Sequence, residues 1–227
     1  MIRVHVICEG QTEEMFVNEL LRVPFSHKNI DLRPSLIGKP GHKGGDFKYD
    51  RLLPDLKARL LRDTKCYCTT FFDYYALPLS FPGRTEAASL SRNATTGEKA
   101  ELVNTKLAES LAKDIGEKPA LRFIPYIQMH EFEGLLFSDP TGFAKGTGHV
   151  QLEQSFWIIR NQFSSPEDIN DSPMTAPSKR ILHLFPEYEK PIYGSLAAIE
   201  MGLDVIRNEC QLFNCWLTRL ESLSEQS

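Results

Sequence analysis

The sequence predicts an α/β protein, a three-layer α/β/α arrangement around a mostly parallel sheet with a helical C-terminal cap. Two patterns predict it. As far as Met129, apolar β-branched runs of strand length alternate with segments patterned at the helical period, giving β-α-β-α-β-α-β. Such alternation calls for parallel strands joined by right-handed crossovers, with helices on both faces. After Ser138 no convincing strand follows, which divides the chain into an α/β domain over 1–139 and a helical region packed on it over 140–227.

The first strand is Ile2–Cys8, apolar enough to be buried on both faces of a parallel sheet. A helix over 12–25 follows, because Phe16, Val17, Leu20 and Leu21 recur at the 3.6-residue period. The second strand is expected near 30–37, a helix over 48–63, the third strand over 66–73 (CYCTTFFD), a helix over 98–115 and a fourth strand over 121–129. Helices are expected over 149–163, 177–185 and 193–222, separated by proline-bearing breaks at 164–177 and 186–191. The stripe Leu203, Ile206, Cys210, Phe213, Trp216, Leu217 and Leu220 reads as helix packing. Two loops stand out. GKPGHKGGD, residues 38–46, is either a phosphate-contacting loop or a plain surface loop, and it is not a Walker A sequence. The connection 77–101 is long for a strand-to-helix link, hence functional or disordered.

At 227 residues, 41% hydrophobic and 25% charged, the chain can bury a sizeable core. No segment approaches the roughly 18 apolar residues of a membrane span. MIRVHVICEG reads as a strand rather than a signal peptide, so a cytoplasmic protein is expected, with no membrane partner. Cys8, Cys66, Cys68, Cys210 and Cys215 form no repeated CxxC pair and read as reduced core residues. A net charge of −4 offers no global attraction for nucleic acid, so any such binding needs a local patch or a partner.

In open α/β sheets ligands bind outside the carboxyl ends of the strands. Acids gather there. Glu9 ends the first strand, Asp73 the third, and His130, Glu131 and Glu133 follow the fourth. Carboxylates on one rim repel unless a cation or proton neutralises them, and all-oxygen ligands suit Mg²⁺ or Mn²⁺. Glu13 falls on the buried face of the first helix, whereas Glu14 lines up with exposed Asn18 and Arg22; both also complement the helix dipole. If 131–137 is helical, Glu131 and Glu133 diverge; if extended, they point the same way. Glu131 is favoured as a ligand and Glu133 retained. His130 is either a phosphate or carboxylate partner or a structural residue. Ser178, Lys179 and Arg180 follow Pro177 at a helix start, where amides and two cations could face an anion, and Lys190 is a further phosphate candidate.

EGQTE (Glu9–Glu13) after a strand, with a later strand ending in Asp73, resembles the TOPRIM domains of topoisomerases, primases and overcoming-lysogenization-defect nucleases, a Rossmann-like α/β fold. The resemblance is stronger to a TOPRIM-like domain-of-unknown-function family often found beside ATPase genes, through Asp73–Tyr75, His130–Asp139 and Ser178–Arg180 as well. It implies a divalent-metal phosphoryl-transfer site, with Glu9 as general base or ligand and Asp73 as ligand. The chain departs from the TOPRIM D-x-D pattern, since Asp73-Tyr74-Tyr75 lacks the second aspartate. Glu131 or Glu133 could replace it, or the domain binds without cutting. The expected catalytic set is Glu9, Glu13, Asp73, His130, Glu131 and Lys179. Ser178, Arg180 and Lys190 are expected to bind substrate, and Glu9, Asp73, Glu131 and Glu133 to hold Mg²⁺ or Mn²⁺. The expected activity is a metal-dependent nuclease acting on DNA or RNA. As an effector beside an AAA/ABC-type ATPase, the resemblance places it in anti-phage defence. The alternatives are a non-catalytic nucleic-acid or nucleotide-binding subunit of such an ATPase, and hydrolysis of a small phosphorylated metabolite.

Overall fold

Strand β1 (Ile2–Cys8) divides its side chains between two apolar cores, because successive residues of a strand point to opposite faces. Val4, Val6 and Cys8 enter one core and Ile7 the other. In this computed structural model, which describes residues 1–38, 48–91, 93–170 and 172–226, β1 pairs in parallel with β2 (Ile30–Leu36) and with β3 (Cys66–Asp73). β4 (Phe123–Ile124) and β5 (Ile127–Gln128) both pair in parallel with β3, giving the order β2-β1-β3-β4 with β5 beside β3. The chain therefore steps outward from β1 to β2 and then back across to β3. That reversal makes the gap between the carboxyl ends of β1 and β3 a topological switch point. Except for Gly38, the glycine-rich loop 38–46 lies outside the described residues.

The single strand expected over 121–129 is interrupted. Cys68 pairs with Phe123 and Phe72 with Ile127, so one register persists across the gap. Pro125 has no N–H to donate there. Thr70 fills the break with its side chain: Oγ1 donates to the Tyr126 carbonyl at 2.9 Å and accepts the Tyr126 N–H at 3.0 Å.

Helix α1 (Gln11–Phe16) passes through a π-helical turn (Val17–Leu21) into α2 (Arg22–His27), burying Phe16, Val17, Leu21 and Phe25 in the first core. On the opposite face α3 (Tyr49–Leu60) buries Leu52, Leu56 and Leu60. The long connection carries a helix of its own, α4 (Arg84–Ser89), ahead of α5 (Thr96–Ile115) and α6 (Glu117–Ala120). The N-terminus of α5 is capped by Thr95 and Glu98, and its Val103, Leu107 and Leu111 join the second core. Two cores on two sides of one sheet make the three layers.

Past Gln128 the described residues contain helices and no strand. They are α7 (Pro140–Gly146), α8 (Glu153–Arg160), α9 (Pro177–Leu184), α10 (Lys190–Met201), α11 (Leu203–Glu209) and α12 (Gln211–Glu221). The break expected at 186–191 ends earlier, because Pro191 lies in the first turn of α10, where its missing N–H costs nothing. The helix expected over 193–222 is three helices, divided at Gly202 (φ +80°) and Cys210. These helices complete the first core: Trp216 stacks on Tyr126 with ring centroids 4.3 Å apart, and its Nε1–H donates to Thr69 Oγ1 at 2.8 Å. No helix among the described residues is long and apolar enough to cross a membrane.

Candidate active site

At the switch point Glu9 and Asp73 stand on adjacent strand ends. The Asp73 N–H donates to Glu9 Oε2 at 3.0 Å, while Asp73 Oδ1 accepts the Phe132 N–H at 2.8 Å, tying the segment after β5 to the same rim. Glu13 turns inward from the first turn of α1, and its Oε2 accepts the Gly10 N–H at 2.9 Å. Phe132–Ser138 is a 3₁₀ segment entered through extended Glu131, so the two glutamates diverge. Glu133 turns into the rim and Glu131 turns away, its Oε2 accepting the Ser178 N–H at 2.8 Å.

Lys190, at the start of α10, brings its ammonium into this set. Nζ lies 2.8 Å from Asp73 Oδ2, 3.2 Å from Glu133 Oε2 and 3.7 Å from Glu13 Oε1. Three carboxylates thus share one cation, with Glu9 beside them on the Asp73 N–H. Burial, with the charges of Asp73 and Glu13, pushes Glu9 up to about 8. Burial and Asp73 raise Glu13. Burial pushes Glu133 up to about 7 even against the pull of Lys190. Lys190 is held well above the ordinary lysine value, since Asp73, Glu133 and Glu13 outweigh the cost of its burial. Buried Glu133 Oε2 has the ammonium's charge but no hydrogen bond, and the Tyr188 hydroxyl, buried with Glu133's charge bearing on it, has none either.

His130 sits beside the cluster in a different setting. The Tyr75 hydroxyl donates to Asn170 Oδ1, which turns the Asn170 amide so that Nδ2–H faces His130 Nδ1 at 3.3 Å. An Nδ1 that accepts leaves the proton on Nε2. Burial, helped by the charges of Lys99 and Arg84, lowers His130 to about 4, so the ring is neutral at pH 7.

Residues 8–221 match a family model described as Domain of unknown function (DUF4276). The chain belongs to this family. No curated protein and no solved structure matches it. The matched span runs from the strand end that carries Glu9 past Lys190, so both halves of the site lie within the DUF4276 domain.

Of the residues singled out from sequence, the DUF4276 fold brings Glu9, Glu13, Asp73, Glu133 and Lys190 together, with His130 alongside. Glu131 instead caps α9, so the N-terminus that Ser178 opens already holds the protein's own carboxylate. Arg180 folds back, Nε donating to the Thr175 carbonyl at 2.7 Å with the guanidinium 5.1 Å from the Phe163 ring centre, and Lys179 is exposed. Sequence reading missed Arg84, Lys99, Asn170 and Tyr188. Lys190 carried a legible signal: a lysine just ahead of Pro191 in a first helical turn opposes the helix dipole and so answers to something else. The donor set, carboxylates only, has the chemistry of a hard-cation site. In its arrangement the ammonium stands at the centre, and among the described residues no group of three or more His, Cys, Asp or Glu side chains is disposed to hold a metal ion.

Proposed function

We propose that this domain is a divalent-metal-dependent phosphoryl-transfer enzyme that cleaves phosphodiester bonds in nucleic acid, as its resemblance to TOPRIM nucleases suggests. The observation that carries the reading is the charge imbalance at the switch point: Glu9, Glu13, Asp73 and Glu133 against Lys190 alone. A structural ion-pair network balances its charges, because uncompensated buried charge is costly. This cluster balances only by holding protons, the condition in which perturbed carboxylates mark functional sites. Glu9, Asp73 and Glu133 would hold Mg²⁺ or Mn²⁺ in place of those protons, with the Lys190 ammonium drawn aside on its flexible stem. The ion's chemistry is to neutralise phosphate charge and to lower the pKa of bound water. An ATPase partner in phage defence is part of the same proposal and rests on the resemblance alone.

The central position of Lys190 favours a second reading, in which the domain binds nucleic acid or nucleotide without cutting. A Mn²⁺ titration followed by thermal unfolding separates the two. An ion that binds only the folded state adds about 2.7 kcal/mol at a hundredfold excess over Kd, a rise of several degrees in Tm. The expected result is a saturable rise in the wild type that Glu9→Gln abolishes, together with cleavage of a labelled oligonucleotide. A wild type without a Mn²⁺-dependent rise overturns the catalytic reading in favour of the second.

A further inference from the structure

The described residues of the connection 77–101 form a built structure. Gly83 has φ +78°, and a Cβ there would fall 2.8 Å from Val103 Cα, so only glycine lets the chain approach α5 this closely. The next residue, Arg84, lies with its guanidinium 4.0 Å from the Tyr74 ring centre and donates from Nη1 to the Tyr74 hydroxyl at 3.0 Å. Its Nε is buried without a hydrogen-bond partner. Lys99 occupies the first turns of α5, and neither Arg84 nor Lys99 has an ion-pair partner among the described residues. The charges of both bear on His130. One acid, Asp168, also bears on that ring, and its carboxylate already accepts the Thr96 hydroxyl at 2.6 Å.

The Arg84 guanidinium and a His130 ring whose proton sits on Nε2 therefore meet around Tyr74 and Tyr75, immediately after Asp73 in the chain, and the charge of Lys99 in α5 reaches the same ring. Guanidinium, ammonium and a neutral N–H together suit a phosphate oxygen. The half-buried Tyr75 ring beside them suits a base or sugar. In a chain of net charge −4, Arg84 and Lys99, both acting on His130, supply the local positive charge that polyanion binding requires.

We propose that Arg84 and Lys99, with His130, form a binding subsite for a backbone phosphate of nucleic acid, adjoining the acid cluster. The subsite rests on the reading above for what is cut, but not for what is bound. It assigns phosphate binding to residues of the 77–101 connection rather than to Lys179 and Arg180.

The test is equilibrium binding of a labelled oligonucleotide, DNA and RNA in separate arms, in EDTA and across a salt series. Wild type is compared with Arg84→Gln/Lys99→Gln, with the charge-keeping Arg84→Lys, and with Lys179→Ala. Each lost phosphate contact should weaken binding severalfold and make the log Kd versus log salt slope shallower by about one. Arg84→Lys and Lys179→Ala should keep the wild-type slope. A double variant with wild-type affinity and slope overturns the proposal, as does a wild type that binds neither oligonucleotide. Because EDTA removes the ion, failure here is distinct from failure of the Mn²⁺ titration, and each reading can fall without the other. Lys99 is only half-buried, so Lys99→Gln alone serves as the folded variant should the double variant prove unstable.

Discussion

Glu167 is a buried carboxylate that receives the Leu212 and Phe213 N–H groups at 2.8 and 2.9 Å, at the start of α12. Those bonds favour its ionised form, yet burial outweighs them and pushes it up from 4.5 to about 7. A carboxyl raised on folding contributes stability that is complete below its unfolded pKa and is lost as pH rises through its folded one. His130, lowered from 6.5 to about 4, has the opposite sign: its contribution is complete above 6.5 and is lost as pH falls toward 4. Wild type should therefore lose stability relative to Glu167→Gln between about pH 5 and pH 7.5, by on the order of 2 kcal/mol. Urea unfolding of both proteins across that range checks it, and superimposable pH profiles would show that Glu167 does not titrate there. Single residues were legible in sequence where chemistry and position coincided, as for Glu9 and Asp73 at strand ends. Lys190 reaches Asp73 across 117 residues of chain, and only the packing of α10 decides that approach. The cations of the 77–101 connection were hidden altogether, because Arg84 is brought to Tyr74 by a close contact at Gly83 that no periodicity announces.

Elements with a strong period were legible, notably β1, β3, α3 and α5. The misjudged ones each have a local cause. α4 and α7 are a few residues long, too short for a helical period to register. The run 193–222 keeps an apolar stripe along its length, but Gly202 at positive φ breaks the helix. The fourth strand is mostly apolar, but Pro125 cannot complete its ladder. There the Thr70 hydroxyl bonds both Tyr126 backbone groups, so Thr70→Val, nearly identical in shape, should leave a buried N–H and carbonyl unpaired. The expected cost is about 1–3 kcal/mol, with selective loss of hydrogen-exchange protection at the Tyr126 amide. Undiminished protection at that amide would mean that the two edge segments hold together without the hydroxyl.

For the molecule as a whole, the lack of strands in the later part of the described residues was legible in the change of pattern, while the shared core was not. Phe16, Phe71 and Phe132 of the first part pack with Phe213 and Trp216 of the second, with Phe16 edge-on to Phe213 at 5.8 Å. A fragment of residues 1–139 should therefore lack a cooperative thermal transition, since the first core loses Phe213, Trp216 and the helices that complete it. A sharp transition with intact near-ultraviolet dichroism would instead make the first part a self-sufficient unit. The Trp216 stack on Tyr126 also sets a timetable. A ribosome adding roughly 5–20 residues per second needs on the order of 10–30 s to travel from Phe71 to Trp216. Throughout that interval the nascent sheet carries an aromatic face that Phe16 and Phe132 cover only in part, because the Trp216 ring has not yet been made. Newly made chains thus pass through a window of aggregation and chaperone capture whose length is governed by translation speed, and slowing synthesis between these two positions lengthens it.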